Sequence, residues 1–376
     1  EELYSLESRT FLESTGIYHF PLFCYLVDCG FNASIINPII THSTKNGNIR
    51  KVKNDKIDSK GIAKLGLSKD IPVSQFPAKL VLELRSLTRK YYDLTDERSA
   101  HINKLKGDLH TVFPQYLDVF CDVTGKTSTM ILRQYGTPDK ILRGHKKTMI
   151  EKISKASRKG LAKASERYEK LCAAANAAKT FGCQIDSIYF NIFLTLDLVE
   201  KLDSALDSIL NRIRQLITFN KNEKFIQQIK LLNTIPGVGF LTAVTIMCEI
   251  GDFSAFRNPK QLFAYFGLDP EVNESGKFVG TQLHMSKRGS RIARRAIFAV
   301  ALASIRTKRN GEGINPYLRK YYELKSGQKP KMVAIGAVMH KVCNIVFAVL
   351  RDEKAFELRS PEEHCKQYQR PALAAA

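Results

Sequence analysis

Two long apolar stripes at helical spacing run through the middle of the chain. Leu80, Leu84, Leu87, Tyr91 and Leu94 step by fours and threes, and Ile102, Leu105, Leu109 and Val112 resume the seam after a polar gap. Ile192, Leu196, Val199, Leu202, Leu206, Ile209, Ile213 and Leu216 repeat the pattern further on. Such steps keep apolar side chains on one helix face at close to heptad spacing. Two long helices are therefore predicted. They either form an antiparallel coiled-coil pair, join partner chains, or each face a globular core. Shorter helices fall between them, one capped at Thr137-Pro138-Asp139.

The segment before the stripes alternates strand and helix signals. Thr10-Phe11-Leu12 is strand-like, residues 21–27 are helix-like, Cys29-Gly30 stops that helix, and residues 31–36 have strand character until Asn37-Pro38. A basic loop follows, then a helix-like run over 55–67. This order predicts a short α/β domain. The segment after the stripes is mainly helical: Asn258-Pro259 opens a helix that Gly267 closes, and residues 290–306 and 332–350 read as two more. The expected fold is thus α/β plus α. Its domains are an α/β domain over 1–75, a helical coiled-coil region over 76–225, a helical domain over 226–355 and a polar tail over 356–376.

Charge narrows the partners. Lys plus Arg number 58 and Asp plus Glu 37, a net +21. An excess of that size favours a polyanion, because each neutralised phosphate releases counterions. The 44% hydrophobic content supports packed cores and argues against global disorder. None of the eight cysteines forms a CxxC pair, so neither a zinc ribbon nor a disulfide framework is indicated, and a cytoplasmic location fits. No secretory signal or membrane span is read. The longest apolar run, 332–350, carries His340, Lys341 and Asn344 near its middle and is expected to be a buried helix.

Four constellations could carry chemistry. Ile235-Pro236-Gly237-Val238-Gly239 precedes a helix and resembles the hairpin of helix-hairpin-helix modules, whose turn amides approach a phosphate; an ordinary interhelical turn is the plain alternative. Residues 287–331 hold thirteen cations against Glu312 and Glu323, with Tyr317, Tyr321 and Tyr322 interleaved, which suits a phosphate track. Lys287, Arg288, Arg291, Arg294 and Arg295 begin it. Asp55 and Asp58 project from one helix face and Glu13 ends a strand, a donor set for Mg²⁺; a DxxD alone is ordinarily a solvated face. Ser275 and Ser286 each sit close to glycine and cations, Ser275 beside Lys277, in what are ordinarily loop positions.

In this order the motifs resemble one family. Leu12-Glu13-Ser14-Thr15-Gly16, Ile36-Asn37-Pro38, Asp55-Lys56-Ile57-Asp58, Ile235-Pro236-Gly237-Val238-Gly239, Phe263-Ala264-Tyr265-Phe266-Gly267-Leu268-Asp269-Pro270, Glu274-Ser275-Gly276 and Met285-Ser286-Lys287-Arg288-Gly289 resemble the DEDD-type insertion-sequence transposases. These recombinases carry an N-terminal RuvC-like (RNase H-like) domain and a serine-bearing C-terminal domain, and are guided by a bridge RNA. The resemblance implies that Glu13, Asp55 and Asp58 match the second to fourth metal carboxylates. It also implies that Ser275, rather than Ser286, matches a nucleophile that forms a phosphoserine link to DNA. Serine and carboxylates would come from different protomers of a tetramer. The family's first carboxylate is an Asp on an opening strand, and none of the twelve residues before Glu13 is an Asp. The RuvC-like domain is therefore expected to be incomplete, and this chain to bind nucleic acid but cut poorly.

The resulting expectation is a bridge-RNA-guided DNA recombinase acting on donor and target DNA in a bacterial cytoplasm. Two rivals stand beside it: a non-catalytic nucleic-acid-binding relative, and a metal-dependent junction nuclease that uses no serine.

Overall fold

The computed structural model describes residues 9–13, 18–36, 55–68, 78–183, 185–270, 274–275, 278–279, 284–360 and 362–363. The chain divides into two compact units, Glu1–Lys79 and Leu80–Ala376.

The described residues of the first unit form a parallel βαβ motif and a further helix. Strand β1 (Arg9–Glu13) pairs in parallel with β2 (Asn32–Ile36), Arg9 opposite Asn32 and Glu13 opposite Ile36, and α1 (His19–Asp28) makes the crossover. Gly30, at φ +83°, ends α1 in the left-handed conformation that glycine adopts without a side-chain clash. Ala33, Ser34 and Ile36 of β2 are buried, so the strand is covered on both faces, as parallel strands usually are. Helix α2 (Asp55–Ser68) packs Leu65 inward, and its Gly66 lies where a Cβ would collide with the Phe11 ring. That missing side chain lets α2 lie close on β1.

Among its described residues the second unit is helical apart from one small strand pair. Helix α3 (Lys79–Val112) and helix α9 (Asp186–Phe219) each have 34 residues. They run antiparallel: Tyr189 donates to the Val112 carbonyl at 3.3 Å, Arg98 meets Asp203 through two hydrogen bonds, and Leu84 shares a core with Ile213 and Leu216. Between them α4 (Tyr116–Val119), α5 (Lys126–Gln134), α6 (Pro138–Arg143), α7 (Lys146–Ser157) and α8 (Leu161–Phe181) enclose a core around Leu105, Phe113, Tyr116, Leu171 and Ile192. Thr137 caps α6 by accepting from the Lys140 amide, as its Thr-Pro sequence predicts.

A second core closes the other end of the long pair. It is built from α10 (Lys224–Leu232), α11 (Phe240–Ile250), α12 (Pro259–Tyr265), α13 (Arg291–Ser304), α14 (Pro316–Ser326) and α15 (Lys331–Asp352). Strands β3 (Glu274–Ser275) and β4 (Phe278–Val279) pair antiparallel between α12 and α13. Helix α15 is long and apolar enough to cross a membrane by composition, yet ten of its residues, from Ala334 to Leu350, are buried, nine of them in this core. Those contacts account for its hydrophobicity.

Candidate functional site

The serine-bearing span is clamped at its base. Pro270 bridges Met285, and inside that bridge Ser275 stands opposite Phe278 in the β3–β4 pair. Just outside it, the Ser286 amide donates to the Asp269 carbonyl at 2.8 Å, and the Ser286 hydroxyl meets the Asp269 carboxylate at 2.6 Å. Ser286 is therefore committed to holding the base. Lys277 lies outside the described residues.

Beyond the clamp the chain turns sharply into α13. Lys287 adopts φ +53°, rare for a residue with a side chain, and its amide donates to the Gly267 carbonyl at 3.0 Å. Gly267 and Gly289 meet backbone to backbone; a Cβ on Gly289 would collide with the Tyr265 carbonyl oxygen. The Ser290 hydroxyl caps α13 by accepting from the Ala293 amide. This turn leaves Lys287, Arg288 and Arg291 exposed at the start of a 14-residue helix. Arg294 and Arg295 are engaged within the fold. Arg294 donates to the carbonyls of Gly289 and Phe266, and burial lowers its pKa. Arg295 pairs with Asp96 at 2.6 Å and lies 4.8 Å above the Tyr92 ring.

The glycine turn joins α10 to α11. Gly237, at φ +96°, sits where a Cβ would come 2.9 Å from the Ser304 amide nitrogen, and the Ser304 hydroxyl donates to the Pro236 carbonyl. Ile235 and Val238 are buried and anchor the turn. Gly239 precedes α11, is exposed, and has nothing within 4 Å of the position a Cβ would take. The first amides of α11 lack intrahelical partners by helix geometry, so this open end can accept an anion.

Helix α11 also carries an acid that the motifs do not reveal. Glu249 is 3% exposed and binds Arg89 of α3 through two hydrogen bonds, 2.8 and 3.0 Å. Arg85 donates to the Cys248 carbonyl, and the Tyr265 hydroxyl to that of Glu249. Burial alone would push the Glu249 carboxyl up. Hydrogen bonds from Arg89 and Ser290, with the charges of Arg89 and Arg85, hold it below the usual carboxylate range. The available signals were one acid in an otherwise apolar helix and two arginines one turn apart.

In the first unit Glu13 ends β1, Asp55 opens α2 and Asp58 follows one turn later on the helix that packs on β1. Among the described residues no three His, Cys, Asp or Glu side chains gather to hold a metal ion. The donor chemistry still suits Mg²⁺, which is usually held by one or two carboxylates with water and substrate phosphate oxygens.

The features define a class: a two-part basic protein, α/β then helical, with one acid at a parallel strand's end, two in the first turn of a following helix, and exposed cations at the start of another helix. The Transposase IS116/IS110/IS902 family matches residues 229–323, and a DEDD transposase family of the IS110 kind matches residues 4–114. The chain belongs to the IS110/IS116/IS902 transposases. DEDD transposase domains have an RNase H-like fold and use divalent metal ions. The chain is 23% identical over 286 residues to the insertion element IS110 43.6 kDa protein of Streptomyces coelicolor, covering 75% of this chain and 66% of that protein. It is 30% identical over 177 residues to the pilin gene-inverting protein of Moraxella bovis, 47% of this chain and 52% of that protein. It is 24% identical over 311 residues to the insertion element IS116 44.8 kDa protein of Streptomyces clavuligerus, 82% of this chain and 74% of that protein. The matched region thus spans about half to three quarters of these relatives.

Proposed function

We propose that this chain is a DNA recombinase of a bacterial insertion sequence, with Ser275 as nucleophile and a bridge RNA as guide. The observation that carries the proposal is the clamped span: Ser275 lies inside the Pro270–Met285 bridge, and the exposed cations Lys287, Arg288 and Arg291 follow directly. The serine oxygen attacks phosphorus, forming the Ser–O–P bond as the P–O bond to the neighbouring nucleotide breaks. The serine proton is released, and the leaving oxygen takes one up. Mg²⁺ held by Glu13, Asp55 and Asp58 would stabilise that leaving oxygen. The exposed cations and the Gly237–Gly239 turn would hold DNA or RNA backbones, with Arg294 and Arg295 shaping the helix start between them. Sequence choice would then fall to guide pairing rather than side chains. The active form is a tetramer in the cytoplasm, in which one protomer's serine meets another's carboxylates. A pilin gene-inverting relative favours recombination over plain nuclease activity.

The test is a labelled DNA target incubated with guide RNA and Mg²⁺. A protein–DNA adduct that survives denaturation, however slow to form, is expected. It should vanish in Ser275→Ala and on chelation of the metal. An adduct that persists in Ser275→Ala would displace that serine. Cleavage without an adduct would favour the junction nuclease, and binding alone the inactive relative.

A further inference from the structure

A groove of about 620 Å³ lies between the last turns of α15, the start of α14 and the returning segment 354–360. Its size is that of a small-ligand site. Ile345, Ala348 and Phe356 give it apolar walls, Tyr317 an aromatic edge and Asn344 an amide. Around the rim stand Lys341, Arg351, Lys354 and Arg359. Arg351 pairs with Asp352 and Arg359 with Glu357, whereas no carboxylate among the described residues pairs with Lys341 or Lys354.

Charge is concentrated further beside the groove. The Tyr321 ring is approached by two ammonium groups, Lys325 at 5.7 Å and Lys341 at 5.5 Å. Two like charges held near one ring repel, and an incoming anion relieves that repulsion. The groove is also tied to the glycine turn. The Phe356 amide donates to the Thr234 hydroxyl at 2.8 Å, and Thr234 directly precedes Ile235-Pro236-Gly237.

We infer that this groove holds an unpaired nucleotide, its base against Tyr317 and Phe356 and its phosphate at Lys341 and Lys354. An apolar slot with an aromatic edge, an amide and lysines that have no carboxylate partner among the described residues matches both halves of a nucleotide. Paired bases in a duplex cannot present a face to such a slot, so the site goes beyond the backbone holding proposed above.

The chain contains no tryptophan, so Tyr317→Trp supplies a sole reporter at the edge of the groove. Its fluorescence should be quenched saturably by the octanucleotides U8 and dT8, and not by ribose phosphate. By anisotropy, Ala348→Trp, which fills the groove at unchanged charge, should weaken octanucleotide binding about tenfold and leave a blunt duplex bound as before. Lys354→Glu on the exposed rim should weaken octanucleotides more than Lys155→Glu in α7. It keeps the test open if Ala348→Trp fails to fold. Equal affinity for U8 and dT8 supports recognition of base and phosphate, and preference for U8 adds a contact to the ribose hydroxyl. Unchanged octanucleotide binding in folded Ala348→Trp would overturn the inference. So would binding that emerges only when residues 364–376 are removed, since the groove would then belong to this chain's own tail. Loss of duplex binding by the parent protein would strike the backbone-holding reading instead.

Discussion

Three motif glycines meet different surroundings. Gly289 presses on the Tyr265 carbonyl and Gly237 on the Ser304 backbone, so each is fixed by packing; Gly239 faces open space. Gly289→Ala should therefore lose about 2 kcal/mol or more in urea denaturation, because backbone must move to admit the methyl group. Gly239→Ala should change stability by less than about 0.5 kcal/mol. It should nevertheless weaken DNA binding if its amide approaches a phosphate. Glu249 offers a second measurement. Replacing it with Gln should cost about 2 kcal/mol, less than for a fully enclosed pair because the Arg89 side chain is 52% exposed. Its depressed carboxyl stabilises the fold fully above the unfolded value of about 4.3, and that contribution is lost as pH falls through the lower folded value. Melting temperature in Glu249→Gln should accordingly fall less steeply below about pH 4 than in the parent.

At the scale of elements, the long helices α3 and α9 join two cores. Their stripes enter the two end clusters, Leu84 with Ile213 and Leu216 in one, and Leu105, Leu109 and Val112 with Ile192 and Leu196 in the other. Leu105→Ala and Ile213→Ala, both at fully buried positions, should each cost about 2–5 kcal/mol. The Arg98–Asp203 bridge between the helices is partly exposed, and Arg98→Ala should cost no more than about 1 kcal/mol. The contrast, read by denaturation, separates packing from pairing as what holds the stalk. The strip Phe190, Leu194 and Leu198 on α9 is exposed at 63%, 46% and 44% and lies off the buried seam. A periodicity count finds the seam and cannot say that a neighbouring ridge is left uncovered.

For the whole molecule, the net charge of +21 becomes local. Of the five cations expected at the start of the basic track, Arg294 and Arg295 are bound within the fold, and Lys287, Arg288 and Arg291 are exposed. Replacing those three with alanine should reduce the slope of log affinity against log salt by about 2.7, for three phosphates at about 0.9 each. The sequence by itself determined the elements. Thr10-Phe11-Leu12, Cys29-Gly30, Thr137-Pro138 and the three-four stripes mark strands, stops, caps and helices through local sterics and side-chain period, which need no distant partner. It also determined the family, because the ordered motifs from Glu13 to Gly289 are chemical identities. Tertiary structure alone decided which cations are spent internally, that Ser286 clamps Asp269, and that Glu249 is buried beneath Arg89. It also decided that the last turns of α15 and the segment after them enclose a groove. Those are contacts between residues far apart in the chain, and only packing brings such residues within hydrogen-bonding range.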